Sequence, residues 1–295
     1  MATRRRELHP SLYQPIVFER WMAQPFTYSL RWIQDELSKR NLTIDQLTPE
    51  KLTLLFDESD LHSLSGSRTD KSQRITFLAQ SGKMSAARYH LEVIEHQRVY
   101  IKNGSNHDLL NALMWLSLPL TRAVTFRQLM WAQSLRAPDT PHKRTHLEDR
   151  LTLFDESGVV IFSDRDDLLE LIRKREWTTL FWTRRNETRE HLKIWVTGHG
   201  LYEQLITPFV GLVGYGRLYH LSSSHFQMVG AEKLYLMDQL ISRDLEGLSQ
   251  HATLHLHAIP ILGYPAWYQA NSERSFYDQP RYFRGPYPLV NEHHD

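Results

Sequence analysis

The segment from Asn106 to Leu116 constrains the fold most, because it is typical of a helix that is apolar almost all round after its first turn. Such a helix is normally buried. Its start nevertheless carries His107, Asp108 and Asn111. A buried polar group without a hydrogen-bond partner costs about 1–3 kcal/mol. These three side chains are therefore predicted either to hold the core together or to form a site.

Helix geometry favours a site, and the local sequence offers a structural alternative. At about 100° per residue, His107 and Asn111 lie about 40° apart around the helix, and Asp108 lies about 100° from His107. One face would thus present an imidazole, an amide and a carboxylate. The alternative is that Ser105 and Asp108 form a capping box at the start of the helix. The sequence leaves both interpretations open.

A second candidate is the motif Gly198-His199-Gly200, which precedes a predicted helix over residues 201–206. Glu203 is four residues after His199, so a helix would place both side chains on one face. Glycines beside a histidine permit close backbone approach. The spacing is not that of the His-Glu-x-x-His signature, so a zincin is not indicated. A helix cap or a buried His–Glu hydrogen bond is the structural alternative.

A third candidate lies in a predicted β-hairpin. Residues 151–154 and 159–162 have the composition of two strands, joined by the turn-like sequence Asp155-Glu156-Ser157-Gly158. Asp-x-x-Gly is ordinary turn chemistry, which favours a structural role for Asp155. As functional candidates, Asp155 and Glu156 would add carboxylates to the same site.

The predicted elements indicate an α+β fold, because helices outnumber strands and the strands are scattered along the chain. We expect a mainly helical single domain with a small, mostly antiparallel sheet. The predicted organisation is an N-terminal arm over residues 1–27, a globular domain over 28–262 and a C-terminal strap over 263–295. The strap is rich in proline and aromatic residues and is expected to pack on the same domain.

Composition excludes several classes of protein. The chain has no cysteine, which excludes disulfides, thiol nucleophiles and cysteine zinc sites. Its formal net charge of +1 gives no general attraction to nucleic acid. No apolar run approaches the roughly 18 residues that span a bilayer, and the N-terminus lacks the apolar region of a secretory signal. We therefore expect a soluble, cytoplasmic protein without a membrane span.

Four ordered stretches carry a resemblance to a known family: residues 106–115, 149–158, 198–203, and 260–267 together with Asn271 and residues 276–278. The set resembles a bacterial family described only as domain of unknown function 3025, from about residue 75 to 285. The chain departs from the family pattern after Pro119, where a basic residue and an Ala-Leu-Asn stretch usually follow and where it reads Leu-Thr-Arg-Ala. The resemblance implies membership and no mechanism.

The leading functional hypothesis is a hydrolase-like enzyme with a pocket of imidazoles and carboxylates. His107 would be a general base, Asp108 would orient it, and Asn111 would position a substrate. His199 and Glu203 would complete the catalytic set. The expected ligand is an unidentified small molecule.

The same pocket is predicted to hold a divalent metal such as Mn, Fe or Zn, because two histidines with several carboxylates suit these ions. A separation of more than about 15 Å between His107 and His199 would rule out a shared ion, since metal–ligand bonds are only about 2 Å long. The predicted ligands are His107, Asp108, Asp155, Glu156 and His199.

The alternative hypothesis is a non-catalytic binding or adaptor protein. In that case His-Asp-x-x-Asn and Gly-His-Gly would be structural caps, and the aromatic C-terminal segment would be a recognition surface or a strap. The sequence leaves the reaction, the substrate and the oligomeric state open.

Overall fold

A computed structural model describes residues 24–58, 74–140, 142–248 and 253–285. The fold is a mainly helical, single-domain α+β structure, as predicted. The α-helices are α1 Arg31–Lys39, α2 Pro49–Glu58, α3 Ala86–His96, α4 Asn106–Ser117, α5 Pro119–Ser134, α6 His146–Ser157, α7 Asp166–Arg173, α8 Arg185–His191, α9 His199–Gln204, α10 Ser223–Gln227 and α11 Gly230–Glu246. The strands are β1 Thr76–Ala79, β2 Arg98–Ile101, β3 Gly158–Ser163, β4 Leu192–Val196, β5 Gly214–His220 and β6 His257–Ile259. Short 3₁₀ and π turns cover Pro25–Leu30, Ile44–Gln46, Thr179–Thr183, Ile261–Gly263, Gln269–Ser272 and Arg274–Asp278.

The sheets are mixed, so the prediction of a mostly antiparallel sheet is wrong. The larger sheet has the order β4-β3-β5-β6; β3 pairs antiparallel with β4 and parallel with β5, and β6 pairs antiparallel with β5. The smaller sheet is the parallel pair of β1 and β2. Parallel strands need a crossover connection. Helix α3 connects β1 to β2, and the segment from α7 to α9, which includes β4, connects β3 to β5.

The predicted hairpin is also wrong, because its first strand is part of helix α6. Thr145 caps this helix by accepting a hydrogen bond from the Glu148 N–H at 3.1 Å. Leu147, Leu151 and Phe154 are buried at spacings of four and three residues, which is the periodicity of one helix face. Residues 151–154 resemble a strand only when they are considered apart from this helical pattern of buried residues. Asp155 and Glu156 therefore lie in the last turn of a helix that leads directly into β3.

Strand β3 lies at the centre of the core and is buried on both faces. Val159 and Ile161 belong to one hydrophobic cluster, whereas Val160 and Phe162 belong to the cluster on the opposite face. A strand covered on both faces is a nearly continuous apolar run, and residues 159–162 are such a run. The helices are therefore distributed over both faces of the larger sheet.

Strand β4 was not predicted, although it delivers His199 to its position. Leu192, Ile194 and Val196 alternate toward one cluster, and Trp195 belongs to the other. Because β3 and β4 are antiparallel, with Val159 opposite Val196, the start of β3 lies beside the end of β4. The end of α6 and the start of α9 are consequently neighbours.

Helix α4 is buried as its composition predicts, with every residue from Leu110 to Ser117 in the interior. Among the residues that the structure describes, no single helix has the length and hydropathy to cross a membrane. The adjoining helices α4 and α5 reach that length only as a pair, and this pair is bent by 112°.

The C-terminal segment over residues 261–285 lies against the rest of the fold. The Tyr264 hydroxyl donates to the Leu192 carbonyl at 2.7 Å, and the Tyr282 hydroxyl donates to the Leu212 carbonyl at 2.8 Å. The Trp177 indole N–H donates to the Arg284 carbonyl at 2.8 Å. Most of the N-terminal arm and the end of the strap lie outside the described residues, and the proposed boundaries at residues 27 and 262 stay predictions.

Candidate metal centre

Three helix ends that are distant in the sequence meet at one place. His107 lies in the first turn of α4, Glu156 lies in the last turn of α6, and His199 is the first residue of α9. The antiparallel pairing of β3 and β4 brings the last two together, and α4 packs against α9. Three of the residues that the sequence singled out thus share one site.

The two histidines face each other through their Nε2 atoms. These atoms are 3.1 Å apart, far inside the 15 Å limit set by the sequence analysis. The ring centroids are 4.5 Å apart with an interplanar angle of 64°, so the rings are not stacked. The geometry therefore directs the ring edges, and not the ring faces, toward a common point.

Each Nδ1 atom of the pair faces an oxygen acceptor, which fixes the tautomers. The Nδ1–H of His107 donates to Glu203 Oε2 at 2.9 Å, and the Nδ1–H of His199 donates to the Asp155 carbonyl at 3.1 Å. A neutral imidazole carries its proton on one nitrogen only. With both rings neutral, the two Nε2 atoms would present lone pairs to each other. This arrangement is repulsive unless a proton or a cation lies between them.

The two imidazoles differ in their electrostatic surroundings. Burial lowers the pKa of His199 to about 4, so this ring is neutral at pH 7. The hydrogen bond from His107 to Glu203 raises the pKa of His107 and lowers that of Glu203. Only 6% of the His199 side chain is exposed, against 40% for His107 and 40% for Glu203. His199 forms the floor of the site, and the other two residues form an open side.

Glu156 completes a group of three potential metal ligands. Its Oε2 atom is 3.7 Å from His199 Nε2, and one ligand atom from each of His107, Glu156 and His199 lies within 4.8 Å of the others. Burial raises the pKa of the Glu156 carboxyl, and the neighbouring Asp155 acts in the same direction. No second group of three His, Asp or Glu side chains meets this distance limit within the described residues.

The distances fit an ion of the first transition series. Metal–nitrogen bonds of about 2.0–2.1 Å and the observed 3.1 Å between the Nε2 atoms give an N–metal–N angle of about 100°. This angle lies between the octahedral and tetrahedral values. Two imidazoles and one carboxylate form a donor set found in zinc hydrolases and in non-haem iron enzymes.

The two glycines of Gly198-His199-Gly200 make room for Glu156. A Cβ atom at Gly200 would lie 2.6 Å from Glu156 Oε2, and one at Gly198 would lie 2.5 Å from the Glu156 carbonyl oxygen. Real Cβ atoms essentially never approach other atoms so closely. The two glycines therefore allow the backbone before and after His199 to contact the end of α6.

Asp108 is bonded locally, but the predicted capping box is only half formed, because the Ser105 N–H donates to the Lys102 carbonyl and not to the Asp108 carboxylate. The backbone N–H of Asp108 donates to Ser105 Oγ at 3.1 Å, and its carboxylate accepts a hydrogen bond from the Lys102 N–H at 2.8 Å. The carboxylate thus fixes the loop before α4 and is not part of the group of three ligands. The structure gives no geometric support for Asp108 as a ligand or as the orienter of His107; Glu203 holds the Nδ1–H of His107 instead.

Asn111 and Asp155 belong to a buried network beneath the histidines. Asn111 donates to the Tyr89 hydroxyl at 2.8 Å and accepts from Arg122, and the Asp155 carboxylate pairs with Arg122. Asp155 reaches the site only through its backbone carbonyl, which holds His199. Sequence reasoning missed Arg122 and Tyr89. The available signal was an arginine in the first turn of a helix with several apolar positions.

The other histidines among the described residues do not form such a group. His191 Nδ1 lies 3.0 Å from Asp164 Oδ1, and His220 Nδ1 lies 3.0 Å from Asp166 Oδ1. His255 and His257 lie just before and at the start of β6. The terminal pair at residues 293–294 is outside the described residues.

Comparisons with known proteins identify a family and no activity. The family described as "Protein of unknown function (DUF3025)" matches residues 75–286, which is more than half of the chain. No curated protein and no solved structure matches the sequence significantly. The match includes His107, Glu156, His199 and Glu203. The chain therefore belongs to the DUF3025 family.

Proposed function

We propose that the protein is a divalent-metal-dependent enzyme of the hydrolase type, in which His107, His199 and Glu156 bind the ion. One observation carries the proposal: the two Nε2 atoms lie 3.1 Å apart while both Nδ1 atoms face oxygen acceptors. A metal ion bound to both Nε2 atoms would replace the proton that otherwise has to lie between them. A carboxylate beside the pair supplies the third ligand and part of the neutralising charge.

The groups behind the histidines support the same conclusion. Metal-binding histidines usually donate their second N–H to a carboxylate or a backbone carbonyl, which fixes the ring and raises its basicity. Glu203 is such a carboxylate for His107, and the Asp155 carbonyl is such an acceptor for His199. Both rings are thus held with Nε2 available before an ion binds.

The exposure of the site favours a catalytic ion over a purely structural one. Structural zinc sites are closed by four protein ligands, whereas catalytic sites keep a position for water or substrate. Here three protein ligands converge, and the side chains of His107 and Glu156 are 40% and 44% exposed. An ion with this set would lower the pKa of a bound water to about 7 and supply a hydroxide nucleophile. Asp108 and Asn111 take no part in the proposal, because their side chains are bonded elsewhere.

A second candidate is metal-free acid–base catalysis by the His107–Glu203 pair. The 2.9 Å hydrogen bond and the partial exposure of both side chains favour it. A carboxylate that holds the Nδ1–H of a histidine makes Nε2 the atom that accepts a proton from a substrate. A substrate there would replace His199 as the partner of the His107 Nε2 atom. This candidate needs neither Glu156 nor a cation, so metal analysis separates it from the first.

The test is elemental analysis of the purified full chain and of the variants His107→Ala and His199→Ala. His191→Ala is the matched control, because His191 is also paired with a carboxylate but lies at the other end of β3. We expect about one equivalent of Zn, Mn or Fe in the wild type and the control, and none in the two site variants. The proposal fails if the wild type binds none of these ions after incubation with each, or if the site variants retain them.

Activity distinguishes hydrolysis from metal binding alone. The wild type, treated with a chelator and then reloaded with Zn²⁺ or Mn²⁺, is assayed with p-nitrophenyl acetate and p-nitrophenyl phosphate. We expect turnover of at least one substrate that is lost with the ion and restored with it. Metal binding without turnover of either would favour the binding-protein alternative, and turnover unaffected by the chelator would favour the His107–Glu203 pair.

A further inference from the structure

Arg122 is a buried cation close to the candidate metal centre, and it contacts neither His107 nor His199 directly. Only 3% of the residue is exposed. Its guanidinium carbon lies 5.5 Å from the Trp115 ring centroid and 5.2 Å from that of Phe126. A buried charge of this kind is stabilised only when it is paired and hydrogen-bonded.

The guanidinium group links two of the helices that carry ligands. Nη2 donates to Asn111 on α4, and Nη1 forms an ion pair with Asp155 on α6. Asn111 is one helical turn after His107, and Asp155 directly precedes Glu156. Arg122 therefore holds the His107 helix and the Glu156 helix at a fixed separation.

The same ion pair reaches the third ligand through the backbone. The carbonyl of Asp155 accepts the Nδ1–H of His199 at 3.1 Å, so its position determines the direction of His199 Nε2. A shift of the Asp155 backbone would rotate or release the ring. The Arg122 guanidinium is thus linked to all three ligands. It reaches the helix of His107 through Asn111, and it reaches Glu156 and His199 through Asp155.

We propose that Arg122 is a positioning residue for the metal centre, which sets the separation of His107, Glu156 and His199 without touching the ion. The inference rests on the proposed function. Loss of a group that hydrogen-bonds a metal ligand typically weakens metal binding 10–100-fold, and Arg122 positions one such group, the Asp155 carbonyl. The charge of Arg122 does not explain this role. Arg122 and Asp155 neutralise each other, and an unpaired guanidinium would repel the metal ion.

Arginine suits this position better than lysine. Its planar fork presents several donors in a fixed geometry, whereas lysine has a single ammonium on a flexible stem. A lysine at position 122 could reach the Asp155 carboxylate or the Asn111 amide oxygen, but it could not hold both in the same orientation. Arg122→Lys thus keeps the charge and removes the link between the helices.

The test measures Co²⁺ affinity by competition with a chelator, together with the visible spectrum of the Co²⁺ protein. The matched control is Arg217→Lys, because Arg217 pairs with Asp244 between β5 and α11. We expect Arg122→Lys to bind Co²⁺ 10–100-fold more weakly with an altered spectrum, and Arg217→Lys to match the wild type. Unchanged affinity and spectrum in Arg122→Lys would overturn the inference and leave the proposed function intact. A wild type that binds no Co²⁺ would overturn the proposed function first.

A second pair of variants covers the case in which Arg122→Lys does not fold. Asn111→Leu removes the contact from Arg122 to α4 and keeps the Arg122–Asp155 pair. Tyr89→Phe removes only the hydroxyl that accepts from Asn111. We expect weaker Co²⁺ binding in Asn111→Leu and wild-type binding in Tyr89→Phe. Equal binding by both variants, with folding verified by circular dichroism, would contradict the inference.

Discussion

The two ends of strand β3 carry the same residue types and have different chemistry. At its start, His107 and His199 direct two Nε2 atoms at each other across 3.1 Å, with Glu156 beside them. At its end, His191 and His220 each lie 3.0 Å from a separate carboxylate. Imidazole and carboxylate content therefore does not define a site. The two ends differ in whether two imidazole nitrogens face each other.

The convergence at the start of β3 has a backbone cause. Helix α6 runs into β3 without a loop, and β4 leads through Gly198 directly into α9. The N–H groups of Thr197 and Gly198 both donate to the Gly158 carbonyl at 2.9 Å, which fixes the two chain segments together. Close backbone contact, rather than side-chain type, therefore produces the candidate centre.

The largest loss of stability is expected from a variant that disrupts this close backbone contact. Gly198→Ala would place a Cβ 2.5 Å from the Glu156 carbonyl oxygen. Overpacking usually costs about 1–3 kcal/mol, and rigid backbone on both sides places this variant at or above about 3 kcal/mol. Urea unfolding measures the change. Gly247→Ala is the control, because its Cβ would be 3.6 Å from the nearest atom; equal stability of both variants would show that the contact is not required.

A second prediction concerns the anchoring of helix α5, which carries Arg122 to the start of β3. The carboxylate of Asp238 accepts hydrogen bonds from the N–H groups of Leu120 and Thr121 at 2.9 and 2.8 Å. Complete burial raises its pKa to about 6, despite these hydrogen bonds. The folded state therefore keeps this proton at pH values where the unfolded chain has lost it. Its contribution to stability falls as the pH rises from about 4 to 6 and is constant above.

The size of this pH effect is at most about 3 kcal/mol, since one pKa unit corresponds to about 1.4 kcal/mol. Urea unfolding of the wild type and of Asp238→Asn at several pH values measures it. The difference between the two curves should change between pH 4 and 6 and be flat from pH 7 to 8. Parallel curves over the whole range would show that Asp238 does not titrate in this window.

The third prediction compares the carboxylates behind two histidines. Glu203 accepts from His107 at 2.9 Å, and Asp164 accepts from His191 at 3.0 Å. Glu203→Ala should weaken Zn²⁺ binding 10–100-fold, or about 1.4–2.8 kcal/mol, because His107 loses its orienting acceptor. Asp164→Ala should leave Zn²⁺ affinity unchanged. Isothermal titration calorimetry measures both, and similar losses in the two variants would remove the distinction between the ends of β3.

The smallest effect is expected at an exposed pair at the far end of β3. The side chains of His220 and Asp166 are 49% and 75% exposed. Exposed ion pairs contribute about 0–1 kcal/mol. Asp166→Asn should therefore change the free energy of unfolding by less than about 1 kcal/mol and leave metal content unchanged. A larger loss of stability would indicate that this end is more tightly coupled to the core than its exposure suggests.

Much of the fold followed from local pattern. The predicted helix over residues 106–116 is α4, because its apolar composition extends over several turns. Residues 231–245 likewise have the apolar periodicity of a helix, and they lie in α11. The prediction over residues 151–154 was wrong because four residues satisfied a strand pattern and a helix pattern equally well. The sequence over residues 86–99 also has a helical pattern, but the helix ends at His96, because Gln97 adopts φ 52° and the chain enters β2.

The candidate site was predicted in part. The sequence named His107, Glu156, His199 and Glu203 as candidates, and the structure brings them together. It also named Asp108 and Asn111, whose side chains are bonded away from the lone pairs. Side chains on one turn of a helix need not point into the same site, because each can form hydrogen bonds with a different neighbour. Arg122 could not be assigned a partner, since Asp155 is 33 residues further along the chain.

The burial of α4, its polar start and the absence of cysteine chemistry all follow from the amino-acid sequence alone. These properties are local, because they depend on the composition and periodicity of short stretches of the sequence. Only the tertiary structure decided the strand directions and the meeting of His107, Glu156 and His199. Those features depend on strand register and on backbone contact at Gly198 and Gly200, which join residues far apart in the chain.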